Sequence, residues 1–191
     1  MAVLVGSFHR KGAEPRRTYN SSVLLDASGA VVALYNKIHL FDIEIPGQVS
    51  FRESDDIIAG QESVVASIGD TCIGLSVCYD LRFPELYRRL TQMGADLLTV
   101  PAAFTMQTGK DHWEVLLRAR AIENQCYVLA PDQWGAHGGV RHSHGHSMII
   151  DPWGHVIARV SDGEGWASAW LEPELLARVR RNLPCASHRR L

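Results

Sequence analysis

Long apolar runs are missing from this sequence. No stretch approaches the ~18 residues that a membrane-spanning helix requires, and the first residues show no signal-peptide pattern. Charge of one sign is missing too. Nineteen Lys+Arg against 21 Asp+Glu leave a formal net charge of -2, so no overall field draws the chain to nucleic acid or an anionic membrane. Cysteine is sparse, with residues at 72, 78, 126 and 185 and no CxxC pair. Cys72 and Cys78 read as one strand, which separates them by roughly 20 Å, beyond disulfide reach. A thiol-bearing cytoplasmic protein is therefore expected rather than a disulfide scaffold. With 46% hydrophobic and 21% charged residues, 16 Gly and 8 Pro, the composition excludes disordered and collagen-like classes. At 191 residues the chain is expected to form a single domain over 1–191.

What is there is an alternation of strands and helices. Met1–His9 reads as a buried strand on the strength of Ala2-Val3-Leu4-Val5-Gly6, followed by a basic loop from Arg10 to Arg17. Tyr19–Asp26 and Ala30–Tyr35 read as a hairpin across Asp26-Ala27-Ser28-Gly29. Residues 42–62, with Pro46-Gly47 and several carboxylates, read as an ordered loop. Strands follow at Glu62–Ile68, Cys72–Cys78 and Leu97–Pro101. Two helices are expected, at Phe83–Met93, with Pro84 in the first turn and Gly94 past the end, and at Asp111–Asn124. In the second, Trp113, Leu116, Leu117 and Ala121 share one side. Tyr127–Ala130, Gly145–Asp151, His155–Arg159 and Trp166–Leu171 read as strands, and Glu172–Arg181 as a helix. The pattern predicts an α/β class with mixed sheets.

Three groups of residues could carry chemistry. Cys78 stands where an apolar strand turns toward a helix, so its thiol can sit on a tight elbow beside free backbone N–H groups. The bland alternative is a small buried hydrophobe. Lys37 lies among apolar neighbours in Tyr35-Asn36-Lys37-Ile38-His39-Leu40-Phe41-Asp42. A desolvated lysine there can hold developing negative charge or lower a thiol's pKa; a snorkelling surface lysine is the alternative. Period-two spacing would put His142, His144 and His146 on one face with His137 nearby, a weak metal signal without a supporting acidic or thiol ligand. A metallohydrolase built on these histidines is thus one reading.

Together the segments resemble the nitrilase, or carbon–nitrogen hydrolase, superfamily, and within it the Nit branch of ω-amidases. The lysine segment 35–42 resembles one family motif. Gly74 to Glu85, with Val77-Cys78-Tyr79-Asp80-Leu81-Arg82-Phe83-Pro84 at its centre, resembles the cysteine elbow. His112 to Asn124 resembles the long downstream helix, and Gly145-His146-Ser147 with Asp151-Pro152-Trp153-Gly154 is a softer match. The resemblance implies a four-layer αββα sandwich of two mixed sheets and a homodimer or larger assembly. It implies Cys78 as nucleophile, Lys37 as oxyanion partner together with the N–H of Tyr79, and Glu53 as support for the lysine. It also implies a general-base Glu on a segment preceding a strand like Ala2–Gly6; no residue here matches that motif, and Glu14 lies in the basic loop. The implied substrate is a small ω-amide of the 2-oxo acid amide or deaminated glutathione type, with no metal or organic cofactor, no nucleic acid and no membrane partner. Arg141 is a candidate for the substrate's negative charge, whereas Arg82 and Arg120 are expected to pair structurally with Asp80, Glu85 or Glu123. A family member without turnover, acting as a binding module, is the rival reading.

Overall fold

The computed structural model describes residues 1–12, 14–45, 49–138 and 142–190. Pro46-Gly47 and Arg141 therefore lie outside the described residues. Strands β1 (Val3–Lys11), β2 (Thr18–Leu25) and β3 (Val31–Asn36) form an antiparallel sheet in that order. Asp26 caps the β2–β3 turn, its Oδ1 accepting from the amides of Ser28 and Ala30 and from the Ser28 hydroxyl. Next comes a two-stranded ribbon, β4 (Asp42–Ile45) and β5 (Val49–Arg52), and a short 3-10 turn over Glu53–Asp55. The loop expected over 42–62 thus holds a hairpin, because Asp42 to Ile45 pair residue by residue with Val49 to Arg52.

The larger sheet has six strands: β6 (Val64–Ile68), β7 (Thr71–Leu75), β8 (Leu97–Thr99), β9 (Tyr127–Ala130), β12 (Met148–Ile150) and β13 (Val156–Arg159). Between β9 and β12 the chain makes a separate ribbon of β10 (Trp134–Ala136) and β11 (His142–His144). Within the six strands, β7, β8 and β9 are parallel and the outer pairs antiparallel. Helices α1 (Pro84–Gln92) and α2 (Met106–Asn124) make the crossovers, followed by α3 (Pro173–Asn182) and α4 (Cys185–His188). α2 begins five residues before the expected Asp111, because the Thr105 side chain caps the Thr108 amide.

Alternation along the central strands separates two cores. Ile73, Leu75, Val77, Leu97 and Tyr127 face the small sheet and pack against Leu24 and Tyr35. Leu98, Val100, Val128 and Ala130 face the helices, against Leu86, Leu90, Trp113 and Leu117. Gly74 lets α1 approach closely: a Cβ there would lie 3.1 Å from that of Leu90 and 3.2 Å from that of Ala95. The result is an α/β sandwich in which helices, six-stranded sheet and three-stranded sheet form successive layers. α3 closes the inner core with Leu175 and Leu176, and its Arg180 donates to Asp96 and to the carbonyls of Ala95 and Gln125.

Two expectations need correction. β1 is not buried throughout: Leu4 reaches the inner core, but Val3 and Val5 are 40% and 43% exposed. The strand is apolar on both faces and sits at a sheet edge, so only one face is covered by described residues. Trp166–Leu171 forms no strand. The last ladder bond beyond β13 is from the Val160 amide to the Ser147 carbonyl, and the β-prone segment that follows has no neighbouring strand, leaving Trp166 and Trp170 exposed.

Trp113 has no solvent contact, packs at a tilt against Phe104 and donates its indole N–H to the His146 carbonyl at 3.1 Å. Trp113→Ala is expected to lower unfolding free energy by about 3–5 kcal/mol in urea titration. A loss below about 1 kcal/mol would contradict this core assignment.

Candidate active site

The carboxyl ends of the parallel strands β7, β8 and β9 converge, the position at which open α/β sheets bind ligands. Beyond β7 the chain continues straight through Ser76, whose hydroxyl donates to the Thr99 carbonyl and meets the Tyr87 hydroxyl. It then turns sharply. Cys78 has φ +50°, a left-handed conformation that costs a non-glycine residue energy and persists only where the surroundings enforce it. The Cys78 amide donates to the Pro101 carbonyl at 2.9 Å, and a 3-10 turn over Cys78–Arg82 follows.

Asp80 does the enforcing. It has no solvent exposure, and its carboxylate is fully shared. Oδ2 accepts from the Val77 amide at 2.8 Å and from the Tyr35 hydroxyl at 2.7 Å. Oδ1 accepts from the His39 amide at 3.1 Å and lies 2.7 Å from His39 Nδ1. One side chain therefore ties the cysteine elbow to the segment that leaves β3. The His39 ring also stacks on Phe83 at 3.7 Å between centroids.

That segment carries Lys37, which is 2% exposed. Its backbone is held from two sides, the N–H donating to the Asn20 carbonyl and the carbonyl accepting from Gly60, both at 2.8 Å. Gly60 has to be glycine here, since a Cβ would fall 2.0 Å from the Asn36 carbonyl oxygen. The ammonium donates to Glu53 Oε2 at 2.5 Å. Glu53 Oε2 also accepts from the Phe41 amide at 2.7 Å and Oε1 from Asn20 Nδ2 at 3.1 Å. The snorkelling alternative for Lys37 is excluded by its burial, and Glu53 is no solvated loop carboxylate.

Burial pushes the Cys78 thiol up; the nearby Lys37 ammonium and the Ala103 N–H pull it down, while Asp132 and Glu53 oppose them. The net direction is upward, so the resting thiol keeps its proton at neutral pH. A small pocket beside Cys78, of about 30 Å³, is lined by Phe41, Tyr79, Arg82, Ala103, Phe104 and Thr108 among others. Ala103 also walls a second cavity of about 200 Å³ that Asp132 faces.

The sequence reading missed two of these residues. Arg82 was expected to pair with a carboxylate, but among the described residues its guanidinium has none. It lies over the rings of Tyr79 and Phe104 at 5.8 and 5.2 Å and touches His112. Arg120 does pair as expected, with Glu123 at 2.9 Å, and also donates to the Leu81 carbonyl. Asp132, two residues beyond β9, is 8% exposed, and burial pushes its carboxyl up to about 7 against the pull of the Phe104, Gly145 and Gln133 amides. Its place in Ala130-Pro131-Asp132-Gln133, at the carboxyl end of an apolar parallel strand, was the available signal.

The histidines do not share one strand face. β11 ends at His144, and His146 takes φ +58°, which breaks the alternation. The His144 and His146 rings stack at 4.5 Å, and His146 Nε2 pairs with Asp162 at 2.9 Å. Among the described residues no three acidic, thiol or imidazole groups converge on a metal-sized site.

Comparison with known proteins places this geometry in context. Residues 1–181 match the carbon–nitrogen hydrolase family. The chain is 48% identical over 192 residues to the deaminated glutathione amidase of Synechocystis, covering 99% of this chain and 71% of that protein. It is 52% identical over 191 residues to the human deaminated glutathione amidase, covering 97% and 58% respectively. The crystal structure of the Caenorhabditis elegans NitFhit protein superposes with a TM-score of 0.94 at 45% identity, covering 100% of this chain and 47% of that one. The chain thus spans about half to seven-tenths of the length of these proteins.

The raised Asp132 pKa carries a stability consequence. Between its unfolded value of 3.8 and its folded value of about 7 the native state holds a proton that the unfolded state releases. Stability contributed by this group is therefore full below the lower value and lost as pH rises through the upper one. Asp132→Asn is expected to be more stable than the wild type above pH 7, by up to about 4 kcal/mol. Thermal melts of both across pH would show the gap opening; equal stability at alkaline pH would contradict the assignment.

Proposed function

This chain belongs to the carbon–nitrogen hydrolase family, and from that premise and the site geometry we propose that it hydrolyses the primary amide of a small, carboxylate-bearing molecule. The observation that carries the reading is a buried Lys37–Glu53 ion pair beside a thiol on a left-handed elbow. An ammonium kept dry and aimed by a carboxylate stabilises an alkoxide far better than a solvated one, whereas a structural lysine has no need of either.

Cys78 Sγ attacks the amide carbonyl carbon, and its proton travels to the amide nitrogen. Lys37 Nζ and the Tyr79 N–H hold the developing oxyanion, each donor worth ~2.7–4 kcal/mol of transition-state stabilisation. Ammonia leaves, a thioester forms, and water releases the acid and regenerates the thiol. Glu53 holds Lys37 in place through the ammonium's hydrogen bond to Oε2. No step calls on a metal or organic cofactor.

Arg82 suggests the substrate. It is a cation without a carboxylate partner among the described residues, and it lines the Cys78 pocket together with Thr108. A substrate carboxylate would pair with it while the amide reaches Cys78. The relatives named deaminated glutathione amidase support an ω-amide of that class. The four free cysteines fit a reducing cytoplasm, and no helix among the described residues is long and apolar enough to cross a membrane. Exposed Val115 and Ile122 on α2, with Trp153 nearby in the fold, support self-association through the helical layer.

Ammonia release from a panel of ω-amides tests the reading. Cys78→Ala is expected to abolish release. Arg82→Gln is expected to raise KM about tenfold or more for carboxylate-bearing amides and to leave uncharged amides unchanged, as loss of a charge-assisted pair requires. A folded chain that releases no ammonia from any amide would overturn the proposal in favour of a binding module.

A further inference from the structure

Asn20 lies on β2, the middle strand of the three-stranded sheet, one step beyond the Ser21–Asn36 pair that ends the β2–β3 ladder. From there it bonds to both members of the buried ion pair. Its carbonyl accepts from the Lys37 N–H at 2.8 Å, and its Nδ2 donates to Glu53 Oε1 at 3.1 Å. A carboxylate only accepts, so the side-chain nitrogen must be the atom that faces it. Oδ1 is buried and meets no partner among the described residues, which leaves Nδ2 as the atom through which this side chain acts.

The turn that carries Glu53 is anchored without that bond. The Thr18 amide donates to the Asp56 carbonyl at 2.9 Å and the Ile58 amide to the Thr18 carbonyl at 2.7 Å. Arg17 Nη2 donates to the carbonyls of Ser54 and Ile57. These contacts fix the backbone of the turn and not the plane of its carboxylate. Both the Phe41 amide and the Lys37 ammonium bond to Oε2, and a carboxylate held through one oxygen can pivot about it. Nδ2 on Oε1 supplies the second point of support, from a residue on a paired strand.

We propose that Asn20 is a positioning residue of the Cys78 site: its side-chain amide holds Glu53 Oε1 off the Lys37 ammonium and so fixes where the remaining N–H groups of that ammonium point. Its part in catalysis rests on the amidase reading above. Without Nδ2, Oε1 loses its donor, and the nearest replacement is the ammonium already bonded to Oε2. Lys37 then divides its N–H groups between the two oxygens and turns away from the developing oxyanion. That charge develops as the carbonyl is attacked, so the loss falls on turnover and not on substrate binding.

Two variants remove the donor, Asn20→Ala and the shape-matched Asn20→Leu. Each is expected to lower kcat for amide hydrolysis about tenfold or more while KM stays within about twofold. Asn20→Gln keeps the amide on a longer arm and should recover part of the loss. A second readout needs no turnover: the rate of Cys78 alkylation by iodoacetamide at neutral pH, resolved from Cys72, Cys126 and Cys185 by peptide mass spectrometry. The Lys37 charge pulls the Cys78 thiol down. A displaced ammonium should therefore slow alkylation about threefold or more, although neither substitution changes a charge. In a Glu53→Ala background the same substitutions should leave alkylation where it is, as for a residue that acts through Glu53. A side chain that only supports the fold predicts equal losses in both backgrounds.

Unchanged alkylation in both variants overturns the proposal, whatever the wild type hydrolyses. So does a defect confined to KM, or a loss that persists without Glu53. Slowed alkylation in a chain that releases no ammonia would sink the amidase reading and leave the positioning role standing.

Discussion

Asp80 sits with no solvent contact between two stretches of chain that are distant in sequence, and every polar atom of its carboxylate is in use. A buried carboxylate is stable only when its lone pairs are met. The Val77 amide on one side and Tyr35 and His39 on the other supply those bonds, so satisfying this one charge fixes the elbow against the lysine segment. The left-handed turn at Cys78 and the buried ammonium of Lys37 are each unfavourable alone. Both become tolerable because Asp80 and Glu53 hold the chain where it is. Removing Asp80 would leave a hydroxyl, an imidazole and two amides searching for partners in a dry core.

The electrostatics at the strand ends follow from the same burial. Desolvation raises Cys78 and Asp132 together, so both favour their neutral forms, while Lys37 donates to Glu53 at 2.5 Å. Burial thus sets a thiol and a carboxyl that favour their neutral forms near the Lys37 ammonium. Nucleophilic acyl transfer from such a thiol needs a cation to hold the developing oxyanion and an acceptor for the thiol proton. The cost appears in stability, since an uncharged isostere at 132 would fold more favourably at alkaline pH.

The sequence made parts of this legible for identifiable reasons. Lys37 among apolar neighbours and Cys78 at a strand end are local anomalies, and a family resemblance assigned them roles. Glu53 needed that resemblance, because nothing local separates it from a solvated carboxylate. The period-two strands and the amphipathic helices were visible, with boundaries within a few residues except where the Thr105 cap extends α2 backwards. What stayed hidden depends on tertiary neighbours. β1 and 166–171 have strand composition, yet covering and pairing are decided by which elements lie alongside. Arg82 resembled any arginine near acids until the fold sent Asp80 to Tyr35 and His39 instead. Asp132 lies 54 positions after Cys78 in the numbering, and only the parallel order β7, β8, β9 brings the two to one end of the sheet.

The central claim is that Cys78, framed by Lys37 and Glu53, forms a covalent acyl intermediate. Its most direct test is the intact mass of the chain after incubation with a small ω-amide and an acid quench. The expected result is a single acyl adduct that maps to Cys78, is removed by hydroxylamine as a thioester should be, and is absent in Cys78→Ala. A folded chain that releases ammonia while Cys78 stays unmodified, or that carries its adduct on another residue, would contradict the account.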